Sequence, residues 1–225
     1  MAVLSPPIQN SLHVDERYLK IKRIIDFVFT LLILIPLFIV IAIFAALIRI
    51  DSKGPIFFRQ KRIGKNGVEF EMLKLRSMYV NSDDSVHRES IKQYMNGAAM
   101  NGKENSGTHY KLMNDPRVTR VGRIIRKFSI DELPQFINVL HGEMTLVGPR
   151  PPLPYEVEEY SPRDMIRLSG KPGLTGTWQV YGRSRVPFKE MVEMDIEYLK
   201  VQSIVQDFKL IALTLPVMLQ GRGGV

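Results

Sequence analysis

From Phe27 to Ile48 the chain runs for 22 residues without a charge, interrupted only by Thr30 and Pro36. About 20 apolar residues suffice to cross the hydrocarbon of a bilayer, so this run is a membrane element. A cleavable signal peptide would have a shorter apolar stretch and a cleavage site after it. Here the run passes straight into Arg49, Asp51 and Lys53, and the expectation is that the chain keeps it. Both flanks are basic: Arg17, Lys20, Lys22 and Arg23 precede the run, and Arg49, Lys53, Arg59, Lys61 and Arg62 follow it. Lys and Arg favour the cytoplasmic side, so a single straight crossing strands one cluster on the wrong face. Pro36, near the middle, removes a backbone N–H and predicts a kink. A helix that enters, bends and returns satisfies both observations. On charge alone, a single-pass anchor with a tolerated proline stays open.

The remainder must supply a folded core. The whole chain has 225 residues, enough for one domain of ordinary size. Its 31 Lys and Arg against 23 Asp and Glu give a formal charge of +8, which favours an anionic partner: nucleic acid, acidic lipid or a phosphorylated substrate. With no cysteine, a disulfide framework, a thiolate nucleophile and an iron–sulfur cluster are all excluded.

Ile56 to Arg62 and Val68 to Leu75 read as strands, and Gly64-Lys65-Asn66-Gly67 between them carries the Asn-Gly of a tight hairpin turn. Asn81 to Tyr110 is polar and reads as a helix followed by a loop. Val118 to Phe128 has a helical pattern with a basic face, and Leu133 to Leu140 is a second helical stretch. Pro149 to Pro154 must be extended, because each proline turns its predecessor away from the helical region. Lys171 to Gly176 reads as loop. Phe188 to Lys200 reads as a helix with Asp195 on or beside its apolar stripe, and Ile204 to Leu219 as a helix that lies either in the membrane interface or on the core.

No phosphate-binding loop, dinucleotide fingerprint, zinc-protease motif or serine elbow is present, and the four histidines are scattered. Carboxylates are left as nucleophile candidates. Asp131-Glu132 is an adjacent acidic pair in a basic and apolar stretch, just before Leu133-Pro134. Pro134 is tolerated only in a first turn, so the pair is expected at the start of a helix. An aspartate there can stay ionised beside a phosphate if cations offset the repulsion, and Arg126, Lys127 and Arg150 are available. Taken alone, the pair is better read as a helix cap, Asp131 capping and Glu132 complementing the helix dipole.

The surroundings make the pair specific. Arg126 to Gln135, Asn138 to Met144 and Leu146 to Pro151 together resemble the signature of the bacterial sugar transferases, the monotopic polyprenyl-phosphate phosphoglycosyl transferases. The resemblance extends to Asn114 to Thr119, Phe70 to Met78 and Lys171 to Gly176, and covers residues 18 to 220. It implies transfer of a sugar 1-phosphate from a UDP-sugar to undecaprenyl phosphate with release of UMP, the initiating step of surface polysaccharide or glycoconjugate assembly. By the same resemblance Asp131 is the nucleophile, forming an aspartyl-phosphosugar intermediate, and Glu132 assists with Mg2+ and protons. Both carboxylates are then the metal-binding residues. Arg126 and Arg150 match the family's basic positions, with Lys74, Arg76, Asn114, Asp115, Arg117, Gln179 and Arg183 as further substrate-binding candidates.

The fold implied is of α/β class, mostly helical with a short β-hairpin. It divides into a tail over 1–19, a kinked re-entrant membrane helix over 20–50 and a cytoplasmic-face catalytic domain with interfacial amphipathic helices over 51–225. One departure stands out: the family's break is Ser-Pro, and here it is Ile35-Pro36. The form expected is the minimal catalytic one, at the inner membrane, with membrane lipid and the two substrates as partners, no nucleic acid, and an apolar surface that permits a homodimer. Three rivals stay open: a membrane-tethered basic adaptor without catalysis, an aspartyl phosphatase whose D-x-D motif is missing here, and direct attack in a ternary complex. The sugar is not legible.

Overall fold

The computed structural model describes residues 15–80, 85–95, 115–182 and 186–219. The expected tail before residue 15, most of the polar stretch after Met95, and candidates Asn114 and Arg183 lie outside the described residues.

The apolar run forms one long helix, α1, Glu16–Asp51, which contains Pro36. It begins where the Asp15 carboxylate accepts the Arg17 N–H at 2.8 Å, satisfying one of the amides a helix start leaves open. Its buried residues are Tyr18, Lys22, Asp26, Thr30, Leu37 and Ile48. The spacings of four, seven and eleven residues are one, two and three helical turns, so these positions form a single stripe. The opposite face is bare hydrocarbon, with Leu32, Ile35 and Phe38 at least 70% exposed. The stripe is tied to the rest of the molecule at both ends. Near the N-terminus, Lys22 pairs with Asp207, which also accepts from Tyr18 at 2.9 Å and Tyr198 at 2.6 Å. Asp26 accepts from Thr145 Oγ1 and the Leu146 N–H. At the other end, Asp51 accepts the Val121 N–H at 2.9 Å, while Ile48 joins Leu75 and Ile125 in one apolar cluster.

Beyond α1, strands β1 (Phe57–Ile63) and β2 (Glu69–Leu75) form the expected antiparallel hairpin, in register from Phe57 opposite Leu75 to Ile63 opposite Glu69. Asn66 and Gly67 in the turn both have positive φ, a conformation that favours these two residue types. The alternation of β2 sends Phe70 and Met72 into the core, and Lys74 continues that series.

The following helices are α2 (Ser85–Met95), α3 (Arg120–Lys127) and α4 (Gln135–His141). Then come α5 (Pro154–Val157), α6 (Thr177–Tyr181), α7 (Phe188–Val201) and α8 (Ile204–Leu219). Thr119 caps α3 by accepting the Gly122 N–H. The main core joins Phe70 and Met72 to Val139, Leu146, Val147, Leu199 and Leu210, so the hairpin, α4, α7 and α8 share it. A second cluster packs Trp178 against Phe188, Met191 and Ile196. On α8, Asp207 and Leu210 are buried while Val205 and Phe208 are exposed, so its inner face lies on the core.

Two expectations are corrected. The segment read as loop at Lys171 to Gly176 contains β4 (Gly173–Thr175), paired in parallel with β3 (Thr145–Val147). Three-residue strands carry too little alternation to be read from sequence. The acidic pair also does not open an α-helix: Ile130–Glu132 is a separate 3-10 turn, and α4 starts only after Pro134. Pro134 stands at the N-cap, just before the first turn in which it was expected.

Candidate active site

Ser129 has φ 56, ψ 25, a left-handed conformation that costs a non-glycine residue about 1 kcal/mol or more. That residue reverses the chain between α3 and the 3-10 turn and points the acidic pair toward β2. Asp131 is buried at 8% exposure. Glu132 Oε1 lies 3.5 Å from Lys74 Nζ. Lys74 stands on the inward face of β2, and burial holds its ammonium down to about 8, although Glu132 and Asp131 both pull it up. Arg150 and Arg62 press in the opposite direction, so all five charged groups share one field.

These groups surround a small open cleft, lined by Arg62, Lys74, Glu132, Gln135, Arg150 and Gln179 among others. Three cations on one small cleft are suited to a diphosphate, and guanidinium groups offer it paired donors. The floor is made by close backbone approach. A Cβ on Gly173 would sit 2.1 Å from Gly148 N, which no rearrangement of a flexible side chain can relieve. We therefore expect Gly173→Ala to part β3 from β4 and lower the melting temperature, as a thermal melt of the variant beside the wild type would record.

Of the candidates read from sequence, Lys74, Glu132, Arg150 and Gln179 line this cleft and Asp131 adjoins it. Among the other described candidates, Arg76, Asp115 and Arg117 are committed elsewhere. Arg76 donates to the carbonyls of Ser52 and Lys53, both at 2.7 Å, and so closes the C-terminal end of α1. Asp115 and Arg117 bind each other, with Nη2 to Oδ2 at 2.7 Å, and Arg117 holds that carboxyl below its ordinary value. Arg126 adds its charge to Asp115, and its Nη1 is buried without a hydrogen-bond partner among the described residues. Arg62 and Gln135 are cleft residues the sequence reading missed. The hairpin register held the signal for Arg62, since it pairs with Phe70 and therefore shares a face with Lys74.

This constellation occurs in a chain that a profile of bacterial sugar transferases matches over residues 17–221. The chain belongs to the bacterial sugar transferase family. It is 43% identical over 207 residues to the galactosyl transferase CpsE of Streptococcus agalactiae, covering 92% of this chain and 44% of that protein. It is 40% identical over 202 residues to the exopolysaccharide production protein ExoY of Sinorhizobium fredii, covering 90% and 87% of the two. To the undecaprenyl-phosphate galactose phosphotransferase of Salmonella typhimurium it is 40% identical over 220 residues, covering 96% and 44%. The chain thus spans less than half of two of these relatives and most of the third. The family's match takes in α1 together with the cleft, so the long apolar helix and the candidate site both lie within the matched region.

Proposed function

We propose that the chain transfers a sugar 1-phosphate from a UDP-sugar to undecaprenyl phosphate, releasing UMP, as an initiating step of surface polysaccharide assembly. The observation that carries this reading is the acidic pair, Asp131 buried and Glu132 half-buried, beside three cations on one cleft, in a chain of this family. A carboxylate oxygen of Asp131 attacks the β-phosphorus of the donor. The bond from that phosphorus to the bridging oxygen breaks, and UMP leaves with the electron pair, needing no proton at neutral pH. A phosphate oxygen of the lipid then attacks the same phosphorus, and the Asp131 carboxylate is restored. Two displacements let two anionic substrates use one cationic cleft in turn. Arg62, Lys74 and Arg150 stand where charge accumulates on the transferring phosphoryl group.

Among the described residues no cluster of three or more acidic, His or Cys ligands exists. Mg2+ commonly takes one or two carboxylates and completes its shell with phosphate oxygens and water, so Asp131 and Glu132 fit it. When bound there it would supply further positive charge to the phosphoryl oxygens.

The same reading makes α1 re-entrant and places the cleft on the cytoplasmic face of the inner membrane. In support, both ends of α1 bond to one domain: Lys22 and Asp26 at one, Asp51 at the other. A helix tied so cannot deliver its ends to opposite sides of a bilayer unless charged surface follows it through hydrocarbon. The exposed Val205 and Phe208 of α8 suit an interfacial position beside it.

The test is UMP release by the protein in nanodiscs, with Mg2+, across a panel of UDP-sugars, with and without undecaprenyl phosphate. Release that requires the lipid and prefers one sugar is the expected result. No lipid-dependent release from any donor, with retained binding to anionic vesicles, would instead favour the tethered adaptor.

A further inference from the structure

Residues Pro149 to Pro152 present Arg150 to the cleft, yet three of the four are prolines. This stretch therefore has a single backbone N–H, and a segment so poor in donors is held mainly through its carbonyls. All four carbonyls are taken. The Gly173 N–H donates to Pro149 O at 2.9 Å, and the Ile63 N–H to Pro152 O at 3.0 Å. Between them, Arg167 Nη2 donates to Arg150 O at 3.3 Å and Arg62 Nη1 to Pro151 O at 2.8 Å. The four donors come from β4, β1 and the 3-10 helix Asp164–Ser169, so three elements hold one extended strand of chain.

Two of those donors are guanidinium groups at 2–3% exposure, an expensive way to anchor a loop unless the charge is answered. For Arg167 it is. Asp195 of α7 pairs with it in full burial, and Tyr160 Oη accepts its Nη1 at 2.8 Å. Arg62 instead rests on neutral acceptors, the Pro151 carbonyl and Gln60 Oε1 at 2.7 Å, and turns its charge to the cleft it lines. The apolar stripe of α7 thus carries Asp195 as the far end of a strut that reaches Arg150 through Arg167.

We propose that Arg167 and Asp195 are positioning residues that, together with the Arg62 donor, clamp Pro149–Pro152 by its carbonyls and so aim the Arg150 guanidinium at the donor diphosphate before substrate arrives. The proposal rests on the function put forward above. Its physical content is preorganisation: an arginine on a free loop would spend binding energy on being ordered, and one on a clamped loop would not.

The test uses the full chain in nanodiscs. Arg167→Met/Asp195→Leu replaces a buried ion pair by apolar side chains, a change that is often neutral or stabilising for the fold, while deleting the donor to Arg150 O. The expected result is a melting temperature held within a few degrees and a kcat/KM for UDP-sugar lowered ~10-fold or more. In an Arg150→Ala background the same double replacement should cost nothing further, because the group it positions is gone. Wild-type kcat/KM in the stable double variant overturns the clamp, as do losses that multiply with that of Arg150→Ala. If the double variant does not fold, Arg167→Lys takes its place in the same cycle, since lysine keeps the charge for Asp195 but not the planar fork. UDP binding by calorimetry separates the two readings. A wild type that binds UDP without transferring sugar phosphate sinks the function alone, and the clamp is then scored on weaker UDP binding by the variants. A wild type that neither transfers nor binds UDP overturns both.

Discussion

Replacing Asp131 with asparagine is expected to lower sugar-phosphate transfer by ~10³-fold or more, while membrane association and melting temperature stay near those of the wild type. Asparagine preserves the shape of the side chain at this buried position but cannot supply an anionic oxygen to the phosphorus. A second consequence is electrostatic. The Asp131 charge helps keep Lys74 protonated, so its removal should lower the lysine further from about 8 and weaken donor binding at neutral pH. The decisive comparison is covalent: wild type quenched with labelled UDP-sugar in the absence of lipid should carry phosphosugar on Asp131, and the variant should carry none. Near-normal turnover by Asp131→Asn removes the nucleophile from the mechanism. Loss of turnover with no adduct in the wild type points instead to direct attack in a ternary complex, with the acidic pair holding metal.

What the sequence made legible was whatever a local pattern enforces. The run from Phe27 to Ile48, the Asn66-Gly67 hairpin and the helix at Phe188 each follow from periodicity or turn chemistry, and each is found. Asp131, Glu132, Lys74 and Arg150 were found because they sit in motifs that resemble a family, and the fold gathers them with Gln179 about one cleft. What escaped was set by distant partners. Strand β4 exists because Gly148 and Gly173 allow two backbones to meet, which no window of sequence contains. Arg76 stood in the same motif as Lys74, and Asp115 and Arg117 in the one at Asn114 to Thr119, but what each is bonded to in the fold, the end of α1 or one another, no motif states. Asp195, on or beside an apolar stripe in the sequence, has its reason in Arg167, the distant residue it pairs with in full burial. A motif marks residues that matter to a family without saying which touch substrate and which hold the site in shape.

Lys74 offers the second large effect, and the sign of its pH dependence follows from burial. A lysine is cationic below its pKa, and this one is held at about 8. Between pH 7 and pH 9 the charged fraction therefore falls from about nine-tenths to about one-tenth, leaving Arg62 and Arg150 to face the diphosphate. The KM for UDP-sugar should rise ~10-fold over that interval, with kcat less affected because bound phosphate favours the protonated lysine. Lys74→Met should lower kcat/KM by ~10² at pH 7 and flatten this limb. Lys74→Arg, charged throughout, should keep activity at pH 9 relative to pH 7 even if its fit is poorer. Stability runs the other way. With its folded pKa below the ordinary 10.5, the group binds its proton more tightly in the unfolded chain, so it destabilises the fold fully below about pH 8, and the penalty fades as pH rises toward 10.5. At pH 7, Lys74→Met should therefore melt no lower than wild type despite its lost activity. A clear fall in melting temperature with an unchanged KM would make Lys74 a structural residue, and the cleft would then rest on its two arginines.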